Sequence, residues 1–110
     1  MESIARSLRN KGYKIYLKEI KYSSLTGSLV TEKKLIAYNF IEGIKISLKE
    51  DKASNTYSLY VLIRGKKASS FIANRLESIG GSVDLEEGAR LFGVVKHVSE
   101  NIIERLLESL

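Results

Sequence analysis

Hydrophobic and polar positions alternate along much of the first 64 residues, which is the pattern of β-strands that bury one face. Residues 13–23 form the first such segment, and one of its sides is mostly hydrophobic: Tyr13, Ile15 and Leu17. Its other side carries cations around an aromatic ring: Lys14, Tyr16 and Lys18. A turn is expected at residues 23–28, where Ser, Thr and Gly are concentrated.

Two further segments show the same alternation. In the stretch from Lys34 to Lys49, hydrophobic residues recur on even positions, broken only by Glu42: Ile36, Tyr38, Phe40, Ile44, Ile46 and Leu48. Because this stretch exceeds the usual strand length, Gly43 is expected to mark a bend or bulge that divides it, and the stretch can be counted as one strand or as two. After a hairpin loop at residues 51–55, a strand over residues 56–64 turns four side chains inward: Tyr57, Leu59, Val61 and Ile63.

Helical spacing appears near the beginning of the chain and again after Gly65. Ile4, Ala5 and Leu8 predict a short helix that stops near Gly12. Hydrophobic residues from Ala68 to Ile79 predict a second helix, which Gly80 and Gly81 end. Residues 90–98 read as a last strand, and a stripe of Ile and Leu after Ser99 predicts a final amphipathic helix.

The resulting element order is α-β-β-β-α-β-α, in a single domain that spans residues 1–110. Strands joined by short turns form antiparallel sheets, and hydrophobic helix stripes must be buried against them. We therefore expect an α+β fold with an antiparallel sheet of four to five strands and two or three helices packed on one face. This order is shared by many unrelated functions, so function has to be inferred from particular residues.

Charge is divided unevenly along the chain. Residues 1–75 carry 15 Lys and Arg against six Asp and Glu, a net of +9, whereas residues 76–110 carry three against seven, a net of −4. Such a division is typical of a face that meets a polyanion, backed by an acidic helical end. Lys and Glu are abundant, and Cys, Gln, Pro and Trp are absent, which favours a hyperthermophilic source.

The same composition narrows the class of protein. The absence of Cys excludes a disulfide framework and thiolate chemistry. No uncharged apolar run approaches the roughly 20 residues that a membrane helix needs. The first residues lack the apolar core of a secretion signal, so we expect a cytoplasmic protein without a membrane partner.

The polar side of the predicted sheet is the first candidate site. Cations attract phosphate and tyrosine rings stack on bases, so DNA or RNA is the expected partner. The residues expected to share this side are Lys14, Tyr16, Lys18, Lys45, Ser47, Lys49, Tyr60 and Arg64. The alternative is an ordinary solvated face, because Tyr favours strands and Lys protects sheet edges from aggregation.

A second candidate is the strand-to-helix turn at residues 64–70. A helix that begins with Lys66 and Lys67 places cations at the positive end of its dipole, a local cost that a bound anion would relieve. The alternative is that both lysines precede the helix and are simply hydrated. The turn lacks the first glycine of a P-loop, so it does not predict nucleotide-triphosphate binding.

Catalytic and metal-binding interpretations have little support in the sequence. His97 is the only histidine, and no Ser or Cys nucleophile is placed beside it. Asp84, Glu86 and Glu87 lie in one short segment, whereas metal-dependent nucleases use carboxylates that converge from separate elements. We therefore expect no enzymatic activity, no metal and no cofactor.

The C-terminal helix is a candidate interface. Four hydrophobic residues form its stripe: Ile103, Leu106, Leu107 and Leu110. Packing on the chain's own sheet would explain them, but the same stripe could pair with a second copy and double the number of phosphate contacts. The leading hypothesis is a small, non-enzymatic nucleic-acid-binding protein. The alternatives are an accessory or self-assembling subunit of a larger complex, and a small-molecule role in a pocket between sheet and helices.

Overall fold

A six-stranded, fully antiparallel sheet carries the fold in the computed structural model, which describes residues 1–110. Along the chain its strands are β1 Lys14–Ser23, β2 Leu29–Asn39, β3 Ile44–Asp51, β4 Thr56–Arg64, β5 Ser82–Glu86 and β6 Arg90–Val98. Side by side they run in the order β1-β2-β3-β4-β6-β5. The three helices are α1 Glu2–Asn10, α2 Ser70–Ser78 and α3 Glu100–Leu107.

The α+β class, the antiparallel sheet and the three helices are confirmed, but the expected number of strands is wrong. Two features account for the difference. The stretch from Lys34 to Lys49 is divided next to Gly43, as expected, but the division is a full turn between two strands and not a bend or bulge. Residues 82–86, expected to be a connection, form the short edge strand β5 because they pair in register with β6.

Because of the turn between β2 and β3, the even-numbered residues of β2 and β3 lie on opposite faces of the sheet, although the sequence pattern groups them on one face. Tyr38 lies opposite Lys45 and Ala37 opposite Ile46, so Ile36 and Tyr38 face away from the core that Ile44 and Ile46 enter. Gly43 makes this reversal possible, because its φ of 70° favours glycine and a Cβ there would lie 2.1 Å from the Arg64 carbonyl oxygen.

All three helices pack on one side of the sheet, here called the covered face. Twenty-four buried hydrophobic side chains form one cluster, and its strand members all lie on this face. Ser69 and Ser99 cap α2 and α3, each accepting a hydrogen bond from the backbone N–H three residues later. None of the helices has the length and apolarity needed to span a membrane.

The β1–β2 hairpin extends beyond the rest of the sheet. β2 pairs with β3 only from Lys34 to Asn39, so residues 20–32 form a two-stranded arm with no strand beside β2. The arm exposes apolar side chains, with Leu25 at its tip fully exposed and Leu29 73% exposed. The molecule is accordingly elongated, with extents of 47 × 26 × 22 Å.

Candidate functional site

The side of the sheet opposite the helices, here called the open face, carries its residues in transverse rows. Residues directly opposite each other on neighbouring antiparallel strands have Cβ atoms only about 5 Å apart. Three rows cross the basic part of the face. From β1 to β4 they are Lys14–Tyr38–Lys45–Leu62, Tyr16–Ile36–Ser47–Tyr60 and Lys18–Lys34–Lys49–Ser58.

The last of these rows places three like charges directly opposite each other on adjacent strands. Lys18 lies opposite Lys34, and Lys34 lies opposite Lys49; we call these three residues the lysine row. Only Lys49 has an acidic partner, Glu32, whose carboxylate lies 2.7 Å from the Lys49 Nζ. Like charges directly opposite each other destabilise a sheet, so the row costs folding free energy unless an anion offsets it.

Aromatic rings cluster at the end of the open face that carries Lys14 and Lys45. The Tyr38 and Phe40 rings are stacked, with centroids 5.5 Å apart and an angle of 2° between their planes. Tyr16 meets Tyr38 edge to face at 6.0 Å, and the Lys45 ammonium lies 5.5 Å from the Tyr38 centroid. The open face therefore offers π-surfaces within reach of cations, which is the combination that single bases and phosphates require.

The charge division along the chain becomes a division across the open face. Its β1–β4 part carries six cations, Lys14, Lys18, Lys34, Lys45, Lys49 and Arg64, against the two carboxylates Glu32 and Asp51. On the far edge, β5 turns Asp84 and Glu86 to the same face. A polyanion is thus attracted to β1–β4, whereas on β5 Glu86 is offset by Arg90 directly opposite it and Asp84 has no cation opposite it. Residues 76–110, expected to form an acidic helical end, also include the strand β5, which carries two of their carboxylates.

Seven of the nine residues proposed from the sequence for nucleic-acid contact lie together on the open face: Lys14, Tyr16, Lys18, Lys45, Lys49, Tyr60 and Arg64. Arg64 lies at one end, opposite Arg90 of β6, which is a second pair of like charges. The remaining two, Lys66 and Lys67, lie in the turn after β4.

That turn differs from the prediction. Helix α2 begins at Ser70 after the Ser69 cap, so neither lysine is in its first turn and the expected conflict with the helix dipole is absent. The Lys67 Nζ donates a hydrogen bond to the Leu110 carbonyl oxygen at 2.8 Å and lies 3.9 Å from Glu42. Lys67 therefore ties the turn to the chain's own C-terminal residue, while Lys66 is exposed.

His97 occupies a β-bulge in β6. The pairing of β4 with β6 shifts between Tyr57 and Leu59, and His97 adopts a φ of 57°, which is rare for a residue with a side chain. His97 is exposed beside an open groove of about 720 Å³ between the arm and the β3–β4 hairpin. Five of the 14 residues that line this groove are hydrophobic, whereas the small-molecule hypothesis required a mostly apolar pocket between sheet and helices.

The acidic segment around β5 does not converge on a centre. Asp84 and Glu86 face the open side from one strand, while Glu87 accepts a hydrogen bond from the Ser70 hydroxyl at 3.3 Å. No group of three or more His, Cys, Asp or Glu side chains in residues 1–110 is arranged to hold a metal ion.

The hydrophobic stripe of α3 packs on the chain's own sheet. Ile103, Leu106, Leu107 and Leu110 are between 0% and 9% exposed and belong to the core cluster. Their side chains are therefore not on the surface, and a contact with a second copy would have to use other residues. Exposed apolar side chains are instead found on the arm.

Two tyrosines outside the open face are perturbed by burial. Tyr13 is 4% exposed, and burial, with a smaller contribution from the charge of Glu42, raises its pKa to about 12. Its hydroxyl has no hydrogen-bond partner. Burial also raises the pKa of Tyr57, and the charges of Glu100 and Glu50 add to the effect. Both are residues of the covered face.

Several open-face residues were not predicted from the sequence. Lys34, Tyr38 and Phe40 join the face only because the chain reverses between Asn39 and Ile44. The missed clue is a turn rather than a bend: the Asn39 side-chain oxygen accepts a hydrogen bond from the Glu42 N–H at 3.1 Å, and Gly43 follows. Phe92 of β6, which is 45% exposed, lies opposite Leu62 on the same face.

Comparison with protein-family models, with curated proteins and with solved structures found no match to this chain.

Proposed function

We propose that this chain is a non-enzymatic nucleic-acid-binding protein whose open face holds the phosphate backbone. The observation that carries the proposal is the lysine row, where three cations on neighbouring strands share only one acidic partner. Phosphates would replace the missing carboxylates and remove the repulsion among the lysines. Ordinary protection of a sheet edge does not explain the row, because β2 and β3 are interior strands.

The arrangement of charge around the row supports the same partner. Lys14, Lys18, Lys34 and Lys45 take part in none of the three salt bridges of the chain, so they are free to contact an external anion. Long lysine stems that lie on a sheet also cover apolar neighbours such as Ile36 while presenting their ammonium groups outward. An extended polyanion fits this surface better than a single small anion, because the cations are spread over three strands.

The test uses two pairs of lysines on the same two strands. Lys18→Glu with Lys34→Glu changes the open face, whereas Lys21→Glu with Lys33→Glu changes the opposite face of the same hairpin. Each double variant lowers the net charge from +5 to +1. Binding is measured by fluorescence anisotropy with labelled DNA and RNA oligonucleotides at 50 mM salt, after circular dichroism has established that each variant is folded.

We expect the Lys18/Lys34 variant to lose roughly 100-fold in affinity, since two charge-assisted contacts are replaced by repulsion. The Lys21/Lys33 variant should lose less than about fivefold, through net charge alone. Equal losses in the two variants, or no binding by the unmodified chain, would refute the proposal.

A second candidate function is self-assembly through the arm. Ile20, Tyr22, Leu25 and Leu29 are between 47% and 108% exposed, and the outer edge of β1 has no neighbouring strand. A second copy could add its own arm to this edge and cover these side chains. Sedimentation of the unmodified chain and of Leu25→Lys with Leu29→Lys tests the idea. A dimer that persists at 1 M salt and is lost in the variant is expected, and a monomer at all concentrations contradicts it.

A further inference from the structure

Resting on the proposed function, we infer that the open face takes a single strand of nucleic acid, with its bases stacked on the aromatic cluster, and discriminates against duplex. The cluster is defined by the three rings Tyr16, Tyr38 and Phe40, and it contributes nothing to the hydrophobic core of the chain. A ring surface can accept a base only when that base is unpaired or splayed out of its own stack.

The exposed ring of Phe40 is the observation that supports base stacking. Its ring lies parallel to that of Tyr38 with the centroids 5.5 Å apart, so the two rings are offset, and the residue is 73% exposed. The Tyr38–Phe40 pair therefore ends in an open aromatic surface. A nucleobase would extend this stack by one layer without any rearrangement of the protein, which keeps the entropic cost of ordering low.

Cationic rows lie on both sides of the Tyr16 ring along the strands, and Phe40 lies next to Tyr38, beyond the row that contains it. Lys14 and Lys45 lie in the same row as Tyr38, and the lysine row lies two residues beyond Tyr16. The two cationic rows are four residues apart, or about 13 Å at the rise of an antiparallel strand. Between them lies the row of Tyr16 and Tyr60, so phosphates can be held on either side of stacked bases.

The open face has no structural element suited to the groove of a duplex. Reading a duplex groove requires a protruding helix or a two-stranded ribbon with cations for the flanking phosphates. The arm is the one ribbon that projects, and Lys21 is its only cation. On the opposite edge, Asp84, which has no cation opposite it, would repel the second strand of a duplex laid across the face.

The experiment compares a fluorescein-labelled mixed-sequence 12-nucleotide strand with the same strand annealed to its complement, at 100 mM salt. Each is titrated with the unmodified chain, with Phe40→Ala and with Phe71→Ala. Phe71 is the matched control because it is an equally large ring, 60% exposed, on helix α2 away from the open face. A second readout places 2-aminopurine in the strand, whose fluorescence falls when the base stacks.

We expect the single strand to bind at least tenfold more tightly than the duplex. Phe40→Ala should weaken single-strand binding by roughly 5- to 100-fold and restore the 2-aminopurine fluorescence, since one stacked base is lost. Phe71→Ala should change both by less than twofold. Duplex binding as tight as that of the single strand, or equal effects of Phe40→Ala and Phe71→Ala, would overturn this inference while leaving the proposed function standing. Failure of both nucleic acids to bind would instead overturn the proposed function.

Discussion

The two faces of the sheet differ in the chemistry of residues that are immediate neighbours in the sequence. On the covered face, the row Leu17–Leu35–Leu48–Leu59 crosses strands β1 to β4. On the open face, the row formed by their immediate neighbours is Lys18–Lys34–Lys49–Ser58. The same four strands thus place four leucines opposite each other on one side and three lysines opposite each other on the other.

Burial accounts for three of the four leucines, since Leu17 on the edge strand β1 is 52% exposed, and it does not account for the lysine row. Leu35, Leu48 and Leu59 have no exposed surface, and burying each side chain stabilises the fold by about 1.5–3 kcal/mol. Lysines opposite each other cost up to about 1 kcal/mol per pair. Like charges that are unfavourable for folding are the reason why we propose that the lysine row contacts an external anion.

The largest predicted effect is a difference in the free energy of unfolding between variants at two adjacent residues, one on each face. Leu35→Ala removes a buried side chain from the middle of the covered row and should lower the free energy of unfolding by about 2–5 kcal/mol. Lys34→Ala should leave it within about 0.5 kcal/mol or raise it, since the repulsion with Lys18 and Lys49 is relieved. Urea denaturation measures both. A loss above 2 kcal/mol in Lys34→Ala would mean that the lysine row is structural.

The second prediction concerns Tyr13 of the covered face, whose buried hydroxyl has no hydrogen-bond partner. The Tyr13 phenol ionises near pH 10 in the unfolded chain, but burial raises its pKa to about 12 in the folded chain. The stability that this difference contributes is fully present below pH 10 and is lost as the pH rises from 10 to 12, by roughly 3 kcal/mol.

Tyr13→Phe removes that dependence. The variant should be at least as stable as the unmodified chain at pH 7, because the unpartnered hydroxyl is gone. Between pH 10 and 12 its free energy of unfolding should fall less steeply than that of the unmodified chain. Urea titrations at pH 7, 10 and 11.5 compare the two, and parallel curves over that range would show that Tyr13 is not buried as described.

The smallest predicted effect concerns the salt dependence of binding. For a single strand, the slope of log K against log salt changes by about 0.7 for each phosphate contact. Lys34→Ala should therefore make the slope shallower by about 0.7, whereas Lys33→Ala, on the opposite face, should leave it unchanged. Anisotropy titrations from 50 to 300 mM salt measure both slopes. If the two variants change the slope equally, the lysines act through net charge and not through a defined row.

Local patterns were sufficient to predict elements whose period is unbroken. Strand β4 has the predicted bounds, Thr56–Arg64, because four alternating hydrophobic residues lie between clear turns. Strand β6 and the Ser99 cap of α3 also lie where the sequence places them. From Ile36 to Leu48 the even positions are hydrophobic except at Glu42, so periodicity alone puts Ile36 and Tyr38 on the same side as Ile44 and Ile46, whereas they lie on the opposite side.

The sequence predicted the candidate site only within individual β-strands and not across their pairing. Alternation places Lys14, Tyr16 and Lys18 on one side of β1, but the position of Lys34 between Lys18 and Lys49 follows from pairing among three strands. Such register depends on turn lengths and on long-range contacts, which no local window contains. The same reason explains Lys67, whose partner Leu110 is 43 residues away along the chain.

The most direct measurement is a footprint of lysine reactivity. The folded chain is acetylated briefly with and without a saturating single-stranded oligonucleotide, and the modification of each lysine is quantified by mass spectrometry. If the open face holds the phosphates, Lys18, Lys34 and Lys49 become protected while their neighbours Lys21 and Lys33 on the opposite face react as before. Equal protection of both groups, or protection confined to Lys21 and Lys33, would contradict the assignment of binding to the open face.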